Sequence, residues 1–590
     1  MARETWLGDK SHLPELGVKH KHIAIEAIFG IYDLLSSSFA AVVTESEPFV
    51  SEGTIHIRRV KKISIIPLFQ GSILSQSKKR DEEKYLELLN NSFVQHQFFY
   101  SLTYELTHTQ QRMSKFSQHD MMDPMWSRAE NIFFWNRDLL EDLISSQADD
   151  WIVPFMSAYI EFQPNCKMDD DTGAFGLLFI SRRGKSRQGC RFTKRGIDEN
   201  GNVANYVETE QIALFQNGKI TSFVQIRGSI PLLWSSPVHM RYEPAVYISE
   251  HRGKSVENFE KHIKNVVNSC SDASGNCDVV FVNLIDGKKD QGRLGVAFSE
   301  VVDSAKSRIS VPMRYIWFDF HKECAQKGKW ANLSKLVKQV DKDFRSHGFF
   351  CRNPTGVVGY QNGVIRTNCM DNLDRTNVVQ SLFARRSLLI QMGKSDLLEN
   401  GNVLQTPFKK FEDVYKSMWV NNANAISLMY AGTGALKVDF TKTGKRTFKG
   451  MISDGVNSCK RYYINNFTDG FKQDGIDLML GRYKPHMAKE SPFIPRQGQE
   501  SVEAHFLRAF VLMMSIFFIF VLLSPILDRA LLRNDNSEML LLRLSRYFII
   551  SLQLTITVSI YMVFVIVKKG SKLGDLIVTR PCLCSEIISN

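Results

Sequence analysis

Four common signatures are missing from this 590-residue chain. No apolar run of signal-peptide length opens it. The first thirty residues carry Lys19, His20, Lys21 and Glu26, so a cleaved secretory leader is not expected. The ten cysteines follow no regular spacing, which excludes a disulfide scaffold and points to folding in a reducing compartment. No His/Cys spacing argues for zinc, and no internal repeat is visible. Disorder is excluded by composition, with 44% hydrophobic and 23% charged residues. The length leaves room for about two to four domains.

What the chain does have is a basic excess. Lys and Arg number 74 against 62 Asp and Glu, a formal charge of +12. Such a balance suits nucleic acid, a membrane surface or a phosphorylated substrate, without choosing among them. From Ala509 onward there are eight Lys/Arg and five Asp/Glu, or +3, so most of the excess lies earlier.

Two segments decide the architecture. Residues 509–527 and 547–567 are uncharged runs of 19 and 21 residues, and a helix needs about 20 apolar residues to span a bilayer. Seven basic residues flank the outer ends of the pair (Lys489, Arg496, Arg508, Lys568, Lys569, Lys572, Arg580), against four in the 528–546 connector. The positive-inside bias therefore places both termini in the cytosol. Residues 484–508 hold Pro485, Pro492 and Pro495 with few large apolar residues. They read as a flexible linker with a reach of roughly 28 Å. Residues 568–590 form a cytosolic tail.

The part ahead of the spans reads as mixed α and β. Ile23–Val43 and Thr54–Leu68 carry β-branched runs, and Glu82–Phe93 has helical apolar spacing. Asp278–Leu284 and Arg314–Phe320 look like buried strands, and Val378–Ile390 like a core helix. An acidic, Gly-containing stretch at Asp169–Thr172 marks a boundary, giving a β-rich domain at 1–170 and a second domain at 171–483.

The most informative segment is Arg366–Gln380, RTNCMDNLDRTNVVQ. Cys369 is followed at six residues by Arg375 and then by Thr376. This spacing fits a tight loop whose backbone N–H groups, with the following helix N-terminus, cradle a phosphoryl group. The Arg forks two phosphate oxygens, and such a field favours thiolate over thiol. The Thr hydroxyl is within reach of that thiolate, and Asp371 and Asp374 supply carboxyls for acid work. The basic run Arg182–Arg195, with seven Lys/Arg and no acid, is suited to anionic headgroups or to a solvated loop. His321 reads as a structural partner of Asp319, Trp135 as core, and Cys582 and Cys584 as inert tail thiols.

NCMDNLDRTNVVQ resembles the signature of the Sac-domain phosphoinositide phosphatases. The blocks IFGIYDLLSSSFAAVV (28–43), TYELTHTQQR (103–112), FFWNRDLL (133–140), CRFTKRGID (190–198), QIRGSIPLLW (225–234), WFDFHKEC (317–324) and YAGTGALKVDFTKTGKRT (430–447) follow that family in order. The resemblance covers roughly residues 20–490, and the two spans match its membrane-anchored branch. It implies a β-rich domain leading into an α/β phosphatase domain, and hydrolysis of inositol-ring monophosphates through a phosphocysteine, with no cofactor or metal. Cys369 is then the nucleophile, Arg375 the phosphate ligand and Thr376 the hydroxyl that assists turnover. Asp374 is the general-acid candidate, with Asp371 second. Asp371, Asn372, Lys194 and Arg195 are candidate phosphate and headgroup ligands. After Trp419 the family usually shows acids, whereas this chain has Asn421, Asn422 and Asn424, which keeps a non-catalytic phosphoinositide-binding tether as the alternative. A protein phosphatase with the same loop is the third reading. The expected partners are phosphoinositides and the membrane, with no nucleic acid and no obligate protein partner. Phosphatidylinositol 4-phosphate is the first substrate guess. The expected address is endoplasmic reticulum, Golgi or later secretory membranes, although no dilysine or KDEL-like signal is present.

Overall fold

The computed structural model describes residues 23–493 and 578–584, apart from 70, 170–172, 239–243, 325–328, 400–403, 437 and 439–446. Its first half is an antiparallel run of strands. The strands β1 (Ala27–Asp33), β2 (Ser38–Glu52) and β3 (Ile55–Pro67) form a meander. The turn from β2 to β3 needs only Gly53 and Thr54, and Gly53 takes φ +56°, which costs least without a Cβ. β4 (Phe98–Tyr100) bridges β3 to β5 (Met156–Cys166). β6 (Phe175–Arg183), β7 (Val207–Phe215) and β8 (Ile220–Arg227) continue antiparallel.

Beyond β8 the sheet changes character. β9 (Trp234–Ser235) and β10 (Tyr247–Ile248) pair apart from it. The strands β11 (Asp278–Asn283), β12 (Met313–Trp317) and β15 (Gly363–Asn368) join in the order β8-β15-β11-β12, all parallel to their neighbours. β13 (Phe350–Asn353) and β14 (Gly356–Gly359) make a side hairpin on β8.

Parallel strands need both faces covered, and the helices supply this. α1 (Gln76–Gln95) belongs to the N-terminal half. The helices α2 (Arg252–Cys270) and α3 (Lys289–Lys306) cover one face of the parallel part, where Val279 and Phe281 meet Phe259 and Phe298. The other face carries α4 (Leu333–His347), α5 (Asp374–Gln391) and α6 (Lys409–Ala431), where Val280, Val282 and Ile365 meet Leu336, Phe383 and Trp419. Strand period two thus sends alternate β11 residues into two cores. The last α-helices among the described residues are α7 (Phe448–Phe467) and α8 (Asp469–Met479).

The boundary expected at 170/171 falls between β5 and β6, which pair from Ala158–Arg182 to Cys166–Phe175. The sheet runs on without a break. The N-terminal half is completed from the far end of the chain, because Ile476 and Met479 of α8 share a core with Phe29, Tyr85 and Trp135. The start of the 484–508 linker is also ordered against this half, where Phe493 packs on Tyr85 with ring centroids 5.0 Å apart. Segments 509–527 and 547–567 lie outside the described residues. Among the described residues no helix is long and apolar enough to cross a membrane. Part of the tail returns: Leu583 is buried in the core of Tyr85 and Ile476. Cys582 and Leu583 each donate a backbone N–H to Asp474 Oδ1 at 2.8 Å.

Candidate active site

β15 stops at Asn368 and α5 starts at Asp374, leaving residues 369–373 as a loop at the carboxyl end of a central parallel strand. Ligands of open α/β sheets bind at such ends, and here an 18-residue helix also points its N-terminus at the loop. The strand ends are locked together, since Asn368 Nδ2 donates to Asn283 Oδ1 at 2.6 Å and Leu284 N–H to Asn368 O at 2.9 Å. Asn372 turns the loop with φ +56°, a conformation Asn tolerates. From behind, the fully buried Arg227 of β8 donates to Asn372 O and, at 2.8 Å, to Leu373 O. Burial pushes its guanidinium down to about 10, against the opposing influence of Cys369 and Asp374.

Cys369 is buried and lines a recess of about 130 Å³. That recess shares Asp371, Asp374, Arg375 and His321 with a larger cavity of about 900 Å³. Asp371 is gripped on both oxygens, by Arg191 Nη2 at 2.6 Å and Arg195 Nη2 at 2.7 Å. Burial alone would raise its carboxyl, yet the two guanidiniums outweigh it and hold Asp371 well below the usual carboxylate range. Asp374, in the first turn of α5, accepts the Leu436 N–H at 2.9 Å and stands 3.9 Å from Arg461 Nη1. Arg375 donates through Nη1 to Leu284 O and Asp286 Oδ1, both at 3.0 Å. His321 Nδ1 lies 2.8 Å from both oxygens of Asp286, which puts the proton on Nδ1. Burial would raise Asp286, but His321 and Arg375 lower it overall.

Residues 26–325 match the SacI homology domain. The phosphatidylinositol-3-phosphatase SAC1-A of Danio rerio is 40% identical over 412 residues, covering 70% of this chain and 68% of its own length. The phosphatidylinositol-3-phosphatase SAC1 of Drosophila melanogaster is 36% identical over 463 residues, covering 77% and 74%. The phosphoinositide phosphatase SAC6 of Arabidopsis thaliana is 33% identical over 500 residues, covering 84% and 82%. This chain belongs to the SacI homology family of phosphoinositide phosphatases. It is therefore a hydrolase of phosphoinositide monoesters, and the cavity at the end of β15 is where its sequence signature and its cationic side chains coincide.

Within this family member the expected site residues divide. Cys369, Asp371, Asp374 and Arg375 share the recess, and Arg195 joins the last three of these in the larger cavity. Asn372 faces the other way, donating to Asn205 O at 3.0 Å, so its amide fixes the loop. Thr376 Oγ1 is buried and makes no hydrogen bond to Cys369. Lys194 is buried against Gly189 and is absent from the cavity's described lining. The basic run is neither a solvated loop nor wholly a headgroup grip. Arg182 pairs with Glu208 and Glu210 inside the sheet, while Arg191 and Arg195 alone of the seven reach the cavity. His321 is held by Asp286, because Asp319 is occupied by the Gly287 and Lys322 N–H groups. The three asparagines line neither cavity. Asn422 bonds Asn377, and Asn424 pins Ala435, next to the Leu436 N–H that meets Asp374.

Sequence reasoning missed Arg227, Asp286 and Arg461. Asp286 had a readable signal, since it lies just past the carboxyl end of a buried strand. Arg227 stood inside a quoted block with nothing to single it out. Arg461, bonded to Ser427, Thr433 and Gly434, had no local signal at all.

Proposed function

We propose that this phosphatase is held in a membrane by residues 509–527 and 547–567 and removes ring monophosphates from phosphatidylinositol lipids through a phosphocysteine. The observation that carries the reading is Cys369 in a recess at the N-terminus of α5, sharing that recess with Arg375 and Asp374. The Cys369 thiolate attacks phosphorus, and the S–P bond forms as the bond to the ring oxygen breaks. Asp374 gives its proton to that oxygen, which needs it because an alcohol is a poor leaving group. Water then attacks the phosphocysteine and passes its proton to Asp374. The S–P electrons return to Cys369 and inorganic phosphate leaves. Asp371 is poorly placed as the acid, because both its oxygens already accept from arginines. Thr376 assists the second step once its hydroxyl turns toward the sulfur.

The anchored topology is supported by where the chain leaves and returns. Phe493 and Leu583, on either side of the 494–577 stretch, pack into the same core cluster. A hairpin with both ends on the cytosolic side requires such convergence, and secretory-pathway membranes are the proposed address. Phosphatidylinositol 4-phosphate is the first substrate to test, alongside the 3-phosphate for which the Danio rerio and Drosophila melanogaster relatives are named. Phosphate release by the full chain from short-chain 3-, 4- and 5-monophosphates and from one phosphopeptide tests the reading. Release from a lipid and none from the peptide is expected, and the reverse pattern would overturn it.

A further inference from the structure

α7 is packed inside out. A surface helix normally turns its apolar stripe to the core. Here the inward face is mostly polar: Arg461 and Asn465 are buried and line the large cavity with Ser458, and Ile464, set against Gly432, is its apolar contact. The outward face carries Phe448, Met451, Ile452, Val456, Cys459 and Tyr463, all exposed, with Phe448 at 75% and Ile452 at 54%. At 3.6 residues per turn these six fall within an arc of about 140°. Lys449 and Lys460 sit at the edge of that arc. This is the composition of a helix that lies in a lipid interface, apolar on one side and basic at its border.

The chain's own course says what covers this face. The last turn of α7 is tied to the returning tail, where Thr579 donates its N–H to Asn466 O at 2.8 Å. Thr579 follows the end of the second uncharged run, Val567, by only 12 residues. Fully extended, they span at most about 40 Å. If that run crosses a bilayer, α7 cannot leave the neighbourhood of its surface.

We propose that the apolar face of α7 seats on the lipid surface of the chain's own membrane, so that one helix dips its outer side among acyl chains while its inner side lines the headgroup cavity. This rests on the anchored reading above and names the surface on which the site works. The proposal is tested with full-length protein reconstituted in phosphatidylcholine vesicles that contain phosphoinositide. Ile452→Glu should slow hydrolysis of lipid in those vesicles by about tenfold or more, the effect of losing one buried apolar side chain. Hydrolysis of a short-chain, water-soluble phosphoinositide in detergent should be unchanged. As a second readout, Ile452→Trp should add fluorescence that is quenched by phosphatidylcholine brominated on its acyl chains. Unchanged vesicle hydrolysis with no added quenching overturns the proposal. If Ile452→Glu loses both substrates through misfolding, the quenching alone decides. If it instead abolishes a concentration-dependent dimer and leaves vesicle hydrolysis intact, the face belongs to a second copy and the proposal is overturned. Failure of the parent protein on the short-chain lipid would count against the substrate reading, whatever the quenching shows.

Discussion

Two arginine clusters in this molecule look alike in sequence and do opposite things. Under the sheet, Arg112 forks Glu208 through both Nη atoms at 2.7 and 2.8 Å, and Arg182 reaches Glu208 and Glu210. Two buried cations meet two buried anions, and a third carboxylate, Glu130, stands 3.6 Å from Arg112 Nε at the cluster's rim. At the cavity, Arg191 and Arg195 share a single carboxylate, Asp371, on their inner edges. Arg461 stands 3.9 Å from Asp374, and Arg375 leans on Asp286, which also serves His321. The first arrangement consumes its donors to make a buried ion pair tolerable. The second leaves cationic groups facing a space large enough for a phosphorylated ring. What marks function is therefore not the number of arginines but how incompletely they are neutralised, and where.

The comparison breaks most visibly at the acid. Asp374→Asn should slow phosphoinositide hydrolysis by about 10²–10⁴, the usual worth of a positioned proton donor. An aryl phosphate, whose leaving group needs no proton, should be slowed far less. Equal losses on both substrates, or the same contrast in Asp371→Asn, would remove Asp374 from that role.

In the sealed cluster the effect should fall on stability. Glu208→Gln leaves Arg182 with Glu210 and Arg112 with only the partly exposed Glu130, 3.6 Å from its Nε, and breaking a buried pair this way costs about 3–5 kcal/mol. A clearly lowered Tm is expected, with turnover per folded molecule preserved at low temperature. A Tm within a degree or two of the parent would show that the pair is not the neutralised core described here.

A smaller effect separates Asp371 from the acid by pH. Its folded pKa lies below the unfolded value of about 3.9. The stability of the Arg191–Asp371–Arg195 bridge is therefore complete above that pH and is lost only as pH falls below it. Asp371 is ionised throughout the working range of the enzyme. Asp371→Asn should lower the rate without moving the midpoint of the acidic limb of kcat/KM. A shifted midpoint would mean that Asp371 titrates in catalysis.

The contrast also explains what could be read from sequence. Cys369, Asp374 and Arg375 are one contiguous loop and helix start, so their spacing is itself the geometry. The strand expected at 278–284 and the helix at 378–390 coincide with β11 and α5, because their apolar periodicity is local. The strand expected at 314–320 ends at Trp317, since Phe320 already opens a short helix capped by Asp319. The basic run misled for a different reason. Its first residues, Arg182 and Arg183, close β6, and the partners of Arg182, Glu208 and Glu210, come from the next strand. Only the β6–β7 register brings them together. Arg227 and Asp286 reach the loop from β8 and β11 in the same way, as consequences of a strand order that joins an antiparallel run to a parallel one.

The most direct measurement of the central claim is a rapid acid quench of the full-length enzyme during turnover of a short-chain phosphatidylinositol monophosphate, followed by peptide mass analysis. The account predicts one phosphoryl group on the peptide bearing Cys369. It also predicts that Cys369→Ser forms no adduct and turns over no substrate, since a serine hydroxyl is not ionised at neutral pH. A phosphoryl group on another side chain, or more than a few per cent of activity in Cys369→Ser, would contradict it.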